Sequence, residues 1–352
     1  MTTLLHAFRI ASFARLALAP TLLLLGLAPA TVIAAAAVDS WTPPNFPVFN
    51  PARVRPDFWA AQFNSAAKFD DLGIPGFRHQ TLVSHKLNFK GAAETVVGYT
   101  VYLPPGYEGS DTRYPILYFM VGNNSSETNN TVVQTAHALI VEGELPPCII
   151  VGLTGGCSFY GNQFAGQCQM HDFFFEEFLP YIEKTYRVRS EARYRHLQGT
   201  SAGGNGAMMY ALKHPDLFGT VTTVAGGFFG VRVNAWPEMY DSREENHRPY
   251  DCFALLTPEL APKLGGVRLA LWIGSADVTI RDNAEFHRLL QARGVPHAFN
   301  DWTTHPKLKG MPHDFRLYYE QYGKEILRFH GEGWADENPT AGNVESTAVG
   351  KH

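Results

Sequence analysis

The feature that most constrains the fold is a serine framed by glycines, Gly199-Thr200-Ser201-Ala202-Gly203, at the junction of two patterns. A short stretch at 196–200 is typical of a strand, and 202–213 has a helical pattern. A serine in this setting occupies a sharp, strained turn from strand to helix, where bulky side chains two residues away on either side would collide. The pentapeptide therefore predicts a strand–turn–helix unit that projects the Ser201 hydroxyl.

Strand and helix patterns alternate around this turn. The segments that predict strands are 81–88, 96–103, 115–121, 147–153, 196–200, 221–225, 267–273 and 297–302. Those that predict helices are 172–186, 202–213, 283–293 and 314–329. The two earliest strands are typical of an antiparallel lead-in. The alternation from the middle of the chain onward predicts an α/β fold with a mainly parallel central sheet and helices on both faces.

The two ends of the chain differ from this central part. Residues 1–37 contain early arginines, a long apolar run and small residues before Val38, and so predict a secretory signal peptide. An uncleaved membrane anchor is the alternative, but Pro20 and Pro29 interrupt the run and favour cleavage. We expect an extended N-terminal arm at 38–80, the α/β domain at 81–330 and a disordered tail at 331–352. The mature protein is then secreted or periplasmic, without stable membrane insertion.

Composition excludes several other classes. Lys and Arg total 29 and Asp and Glu total 33, so the net charge of −4 gives no basic surface for nucleic acid. The histidines and cysteines show no spacing typical of metal ligands, so we expect no metal site. Export would permit disulfides. Cys157 and Cys168 flank a polar loop, and a bridge between them is one of the pairings that the sequence allows.

A serine nucleophile needs a base and a carboxylate that orients the base. Where a serine occupies such a turn, these two groups follow it in the chain, first the acid and then the histidine. Asp277 comes directly after the predicted strand 267–273, at the sheet edge that also carries the nucleophile turn. It is the preferred acid. Asp282 is the alternative, although its place at a helix start equally suits a capping role.

Two histidines remain open as the base. His287, His297, His330 and His352 fall in a helix, at a strand start, at a helix end and in the tail. His305 and His313 both lie in the loop between the last predicted strand and the last helix, which can reach back over the strand ends. His313, immediately before that helix, is preferred, and His305 is the alternative.

A resemblance strengthens these choices. The motifs that carry it are Gly98–Tyr107 (GYTVYLPPGY), Tyr114–Tyr118 (YPILY), Glu177–Arg187 (EFLPYIEKTYR), Gln198–Ala207, His214–Gly219 (HPDLFG), Gly274–Asp277 and His313–Glu320 (HDFRLYYE). In order and spacing, residues from about 96 to 330 resemble the putative-esterase family of α/β-hydrolases. That family includes feruloyl and acetyl-xylan esterases, siderophore esterases of the enterochelin type, S-formylglutathione hydrolases and mycolyltransferases. The resemblance implies the α/β-hydrolase fold, with Ser201, Asp277 and His313 as the catalytic residues.

One segment departs from the family pattern. Relatives usually have His-Gly after the strand that corresponds to 115–120, whereas this chain has Val121-Gly122-Asn123-Asn124. The second donor to the oxyanion in such folds is a backbone N–H of this loop, so a valine need not abolish it. We expect the oxyanion hole to consist of the backbone N–H groups of Ala202 and Asn123.

The sequence thus predicts a secreted serine carboxylic ester hydrolase that forms an acyl-enzyme on Ser201, similar to feruloyl and acetyl-xylan esterases. It needs no cofactor, and its substrate is a small-molecule or polysaccharide-linked ester. The alternatives are an acyltransferase of the mycolyltransferase type, a siderophore esterase, and a non-catalytic binding module with the hydrolase fold.

Overall fold

The third strand of the sheet shows how the layers are arranged. Ile116–Val121 is buried at every position. Its side chains alternate between two hydrophobic clusters, with Tyr118 and Met120 in one and Leu117 and Phe119 in the other. Since successive side chains of a strand point to opposite faces, the sheet is covered on both sides.

The computed structural model describes residues 63–88, 95–123, 125–129, 131–156, 158–163, 166, 168–228 and 243–335. The predicted signal peptide at 1–37 and most of the predicted arm and tail lie outside these residues, as does Cys157 of the bridge considered above. Within the described ranges, no helix is both long and apolar enough to cross a bilayer.

Eight strands form one sheet in the order β1-β2-β4-β3-β5-β6-β7-β8. Their bounds are β1 Phe77–Ser84, β2 Thr95–Tyr102, β3 Ile116–Val121, β4 Ile149–Thr154, β5 Arg195–Thr200, β6 Thr220–Val224, β7 Arg268–Trp272 and β8 Ala298–Asn300. β2 runs antiparallel to β1 and to β4, and all the other neighbours are parallel. The predicted α/β fold, with its antiparallel lead-in and mainly parallel sheet, is confirmed.

The helices cover both faces of the sheet. Their bounds are α1 Thr131–Val141, α2 Met170–Asp172, α3 Leu179–Thr185, α4 Ala202–Lys213, α5 Glu244–His247, α6 Cys252–Leu255, α7 Ile280–Ala292 and α8 Phe315–Trp334. A π-helical segment, Phe173–Phe178, joins α2 to α3. The apolar side chains of α4 belong to one hydrophobic cluster, and those of α1 and α8 to the other. Short 3-10 helices are Ala66–Lys68, Ala192–Tyr194, Arg248–Tyr250, Ala261–Gly266 and Pro306–Leu308.

The first strand lies earlier than the sequence predicts. The prediction was 81–88, but β1 begins at Phe77, within the predicted N-terminal arm, and ends at Ser84. The Ser84 hydroxyl accepts hydrogen bonds from the backbone N–H of Lys86 and Leu87, at 3.2 and 3.1 Å. Such a local side-chain turn gives the backbone donors an alternative to the strand ladder, so the strand stops there.

The last helix is longer than predicted. Sequence patterning ended it at Phe329 and began a disordered tail at 331, whereas α8 continues to Trp334. The last turns of α8 contain two glycines, Gly331 and Gly333, and the second allows close packing. A Cβ on Gly333 would lie 2.5 Å from Oγ1 of Thr220, and the ring of Trp334 stacks on that of His196 at 4.6 Å. The glycine lets the last turn approach the sheet.

This packing predicts opposite effects for one substitution at two sites in α8. Gly333→Ala is expected to lower the free energy of unfolding by about 1–3 kcal/mol, because the methyl group overpacks the contact with β6. Gly323→Ala is the matched control, since its Cβ would meet Oγ1 of Thr135 at an ordinary 3.4 Å. Its better helix propensity should leave stability unchanged or raise it by up to about 1 kcal/mol. Urea denaturation measures both, and equal effects would contradict the close approach at Gly333.

Candidate active site

The turn between β5 and α4 holds Ser201 in a conformation that non-glycine residues rarely adopt. Its backbone angles are φ 51° and ψ −120°. A Cβ on Gly199 would lie 2.0 Å from the carbonyl oxygen of Gly203, and a Cβ on Gly203 would lie 2.0 Å from that of Met120. Neither position has room for a side chain, which explains the pattern of glycines around the serine.

The structure brings three of the predicted residues together. Nε2 of His313 lies 3.0 Å from Oγ of Ser201, and its Nδ1 lies 2.9 and 3.0 Å from the two carboxylate oxygens of Asp277. Ser201 follows β5, Asp277 follows β7, and His313 precedes α8. The carboxyl ends of parallel strands meet at one edge of the sheet, which is where ligands bind in open α/β folds.

Asp277 is fixed by more than the histidine. Its side chain is inaccessible to solvent, and Oδ1 accepts hydrogen bonds from the backbone N–H and the hydroxyl of Thr279, both at 2.8 Å. Oδ2 accepts from the hydroxyl of Tyr318 at 2.9 Å, and that hydroxyl in turn accepts from the backbone N–H of Gly274 at 2.7 Å. Burial and the nearby carboxylate raise the pKa of Tyr318, so it remains a donor. A buried carboxylate with several donors holds one orientation.

Thr279 and Tyr318 were not identified from the sequence. An aspartate followed two residues later by a threonine is typical of a local Asx turn, so Thr279 had a detectable signal. The position of Tyr318 could not be read in the same way. Its contact with Asp277 depends on how the first turn of α8 packs against the end of β7, which sequence periodicity does not specify.

The alternative acid and base lie elsewhere. Asp282 is buried in the first turn of α7, and the carboxylate next to His313 is that of Asp277. The ring of His305 packs against Trp272 and Tyr322, at 4.7 and 5.2 Å between ring centroids. Its Nδ1 contacts the hydroxyl of Thr304 at 2.9 Å. The geometry therefore favours Asp277 and His313 over the alternatives that the sequence left open.

The loop after β3 passes beside the serine. A Cβ on Gly122 would lie 2.9 Å from Cβ of Ser201, so the backbone approaches as closely as a glycine allows. The N–H of Gly122 donates to Oγ1 of Thr200 at 3.1 Å. The next amide along the chain belongs to Asn123. On the other side of the serine, Ala202 is the first residue of α4, where helix N–H groups favour negative charge.

Within the part of the chain that the structure describes, no group of three or more His, Cys, Asp or Glu side chains could hold a metal ion. Cys148 and Cys252 are buried, and burial raises the pKa of both thiols. Neither has the character of a reactive thiolate.

The fold and the site define an α/β-hydrolase in which a serine, a histidine and an aspartate are linked by hydrogen bonds. Comparison with known families agrees: residues 92–330 match the family described as "Putative esterase". The match covers more than half of the chain. The chain therefore belongs to this esterase family, as its motifs predicted.

Two curated relatives match part of the chain. A Xylanibacter ruminicola protein named endo-1,4-beta-xylanase/feruloyl esterase is 30% identical over 141 residues, which is 37% of this chain and 19% of the relative. A Mycobacterium tuberculosis protein named as an esterase is 32% identical over 133 residues, which is 37% of this chain and 29% of the relative. The chain thus spans less than a third of either relative.

Solved structures cover more of the chain. A structure described as a ferulic acid esterase is 26% identical, has a TM-score of 0.60, and is matched over 73% of this chain and 98% of its own. The S-formylglutathione hydrolase of Staphylococcus aureus is 20% identical, with a TM-score of 0.55 and coverage of 72% and 98%. At this level of identity, the similarity to the S-formylglutathione hydrolase shows a shared fold.

The backbone conformation at Ser201 predicts an unusual order of stability. Ser201→Gly is expected to be more stable than Ser201→Ala by about 1 kcal/mol, because glycine adopts positive φ without strain. At an ordinary helix or strand position the order is reversed. Both variants lack the hydroxyl, so each is the other's control in urea denaturation. An alanine variant as stable as the glycine variant would contradict strain at this turn.

Proposed function

We propose that this chain is a serine carboxylic ester hydrolase that forms an acyl-enzyme on Ser201. The observation that carries the proposal is the unbroken hydrogen-bond sequence from Oγ of Ser201 to Nε2 of His313, at 3.0 Å, and from Nδ1 of His313 to Asp277, at 2.9 Å. A hydroxyl with a base in reach, and a base with a buried carboxylate behind it, is the arrangement that activates serine for acyl transfer.

In the first half of the reaction, Nε2 of His313 takes the proton of the Ser201 hydroxyl as Oγ attacks the ester carbonyl carbon. Asp277 stabilises the imidazolium that forms and keeps the ring oriented. Collapse of the tetrahedral intermediate breaks the bond to the leaving alkoxide, which receives the proton from His313. Water then attacks the acyl-enzyme by the same steps, releasing the acid and restoring Ser201.

The negative oxygen of the intermediate needs donors fixed in advance. We assign the backbone N–H groups of Ala202 and Asn123 to this role. The position of Ala202 at the start of α4 and the use of the Gly122 N–H by Thr200 support the assignment. One such donor contributes roughly 2.7–4 kcal/mol to stabilisation of the transition state.

The relatives support a class of substrate. The ferulic acid esterase structure is matched over 98% of its chain at 26% identity, and the Xylanibacter ruminicola relative is also named as a feruloyl esterase. We therefore propose esters of aromatic or acetyl groups, free or linked to polysaccharide, as substrates. The apolar run and small-residue end of 1–37 support export of the mature protein.

Hydrolysis of p-nitrophenyl acetate and methyl ferulate tests the function. The parent protein is expected to cleave at least one, and Ser201→Ala and His313→Ala are each expected to lose about a thousandfold or more in kcat. His305→Ala is the matched control, since its ring packs on Trp272 and Tyr322 rather than on the serine. It should keep most of the activity.

Other outcomes would change the reading. A folded parent that cleaves neither ester would overturn the proposal, and loss of activity in His305→Ala alone would overturn the choice of base. Product analysis with a sugar acceptor present separates hydrolysis from transfer: acylated sugar in place of free acid would identify an acyltransferase.

The hydrogen bond from Tyr318 to Asp277 gives a smaller, graded prediction. Tyr318→Phe should lower kcat by about tenfold, less than the roughly 10⁴-fold cost of replacing the orienting carboxylate itself. Tyr319→Phe is the control. Tyr319 is the next residue along α8, and its buried hydroxyl accepts a hydrogen bond from Nε2 of Gln198 at 2.6 Å. Steady-state kinetics on either ester compares them, and equal rates in the two variants would remove Tyr318 from the mechanism.

A further inference from the structure

Tyr160 links two strand ends beneath the loop that we assign to the oxyanion hole. Its hydroxyl lies 2.9 Å from the carbonyl oxygen of Val121 and 3.1 Å from that of Leu153. These carbonyls belong to the ends of β3 and β4. A hydroxyl has one proton, so it is shared between the two acceptors, with Val121 the nearer. Burial raises the pKa of Tyr160 well above its usual value, which keeps that proton in place.

The ring of Tyr160 lies in a slot that two glycines form. A Cβ on Gly155 would lie 2.8 Å from the ring, and a Cβ on Gly206 would lie 2.6 Å from it. Gly206 is in the interior of α4, where glycine is disfavoured for helix stability. Gly206 is therefore explained by packing, because a side chain there would collide with the Tyr160 ring. The ring is held between α4 and the loop after β4.

The backbone at this point is strained and held from several sides. Phe159 and Tyr160 are consecutive residues with positive φ, 50° and 66°. The N–H of Tyr160 donates to Oγ of Ser158 at 3.0 Å, and the hydroxyl of Tyr210 donates to the Tyr160 carbonyl at 3.0 Å. Non-glycine residues persist in this region only where the surroundings over-determine them, and such strain is concentrated at functional sites.

The contact at Val121 controls the start of the loop. The carbonyl of Val121 and the N–H of Gly122 belong to one planar peptide, so a hydrogen bond to the first orients the second. Tyr160 holds the carbonyl and Thr200 holds the N–H. The Val121 side chain is apolar and packs in the hydrophobic cluster of α1 and α8, so it supplies no polar anchor of its own. The amide of Asn123 comes one residue later, so this fixed peptide sets the point from which that amide extends.

We propose that Tyr160 is a positioning residue of the oxyanion hole, which holds the Val121–Gly122 peptide so that the following amide faces the substrate oxygen. The inference rests on the proposed serine-esterase function. Tyr160 acts through the backbone, because its hydroxyl bonds to the carbonyls of Val121 and Leu153. Its hydroxyl is expected to matter for the transition state and not for binding of the ester ground state, because the oxyanion forms only as the bond to Ser201 forms.

Tyr160→Phe removes the hydroxyl and keeps the ring that fills the slot. It is expected to lower kcat on p-nitrophenyl acetate by about tenfold or more with little change in KM. The reason is that the Asn123 N–H would be displaced from the oxyanion but not removed. The affinity for phenylboronic acid should fall by a similar factor, because its tetrahedral adduct on a serine mimics the intermediate.

Tyr319→Phe is the matched control. Its hydroxyl is also buried, but it accepts a hydrogen bond from Nε2 of Gln198 at 2.6 Å, and its ring belongs to the hydrophobic cluster of α1 and α8 on the other face of the sheet. If loss of a buried tyrosine hydroxyl acted only through general stability, both variants would lose similar Tm and similar activity. The proposal requires a larger loss of kcat and of boronate affinity in Tyr160→Phe at comparable Tm.

The possible results distinguish a failure of the proposed esterase function from a failure of the positioning role of Tyr160. A parent that is inactive, or a Ser201→Ala variant that keeps the parent rate, overturns the proposed function and this inference with it. Activity that depends on Ser201, together with equal kinetics in Tyr160→Phe and Tyr319→Phe, overturns only the positioning role. If Tyr160→Phe does not fold, Gly206→Ala is the variant to measure, because it keeps the Tyr160 hydroxyl but crowds its ring. A folded Gly206→Ala enzyme with a lowered kcat supports the positioning role of Tyr160. A kcat equal to that of the parent overturns it.

Discussion

The close contact between α4 and the end of β3 is the constraint on which the site depends. The carbonyl of Met120 lies where a side chain on Gly203 would have to be, so the helix approaches the sheet at backbone distance. That approach forces the positive φ at Ser201 and brings Gly122 against its Cβ. The strained turn, the projecting hydroxyl and the adjacent loop are thus consequences of one packing arrangement.

A second layer of interactions fixes the groups that face the serine. The Asp277 carboxylate is held by Thr279 and Tyr318, and the loop after β3 is held by Tyr160 and Thr200. Further along that loop, the buried carboxylate of Glu127 contacts Nε2 of His79 at 3.0 Å, which ties the loop to β1. Hydrogen-bonded supports of this kind keep donors and acceptors oriented before a substrate arrives, so little reorganisation remains for the reaction itself.

Sequence patterning predicted the order of strands and helices and the residues at the carboxyl edge of the sheet, because both depend on local periodicity and on motif spacing. The bounds of α4 were predicted to the residue, since Ser201 and the end of the apolar pattern mark them. Patterning failed where tertiary contacts decide. α8 continues past its predicted end because Gly333 lets the last turn pack closely against β6, and α1 was not predicted. Tyr318 was missed although it lies within the motif 313–320, and Tyr160 lies in no motif, because the contacts of both depend on where a hydroxyl lies in the folded chain.

The separation of the three site residues along the chain has a consequence for when the site forms during folding. Ser201 and His313 are 112 residues apart, and the histidine comes just before the final helix. The hydrogen bonds between Ser201, His313 and Asp277 exist only once β7, β8 and the start of α8 have packed together. In a nascent or unfolded chain, His313 is not held next to Ser201. Assembly of the three residues is therefore coupled to completion of folding, because His313 reaches Ser201 only after the last strands and α8 have packed.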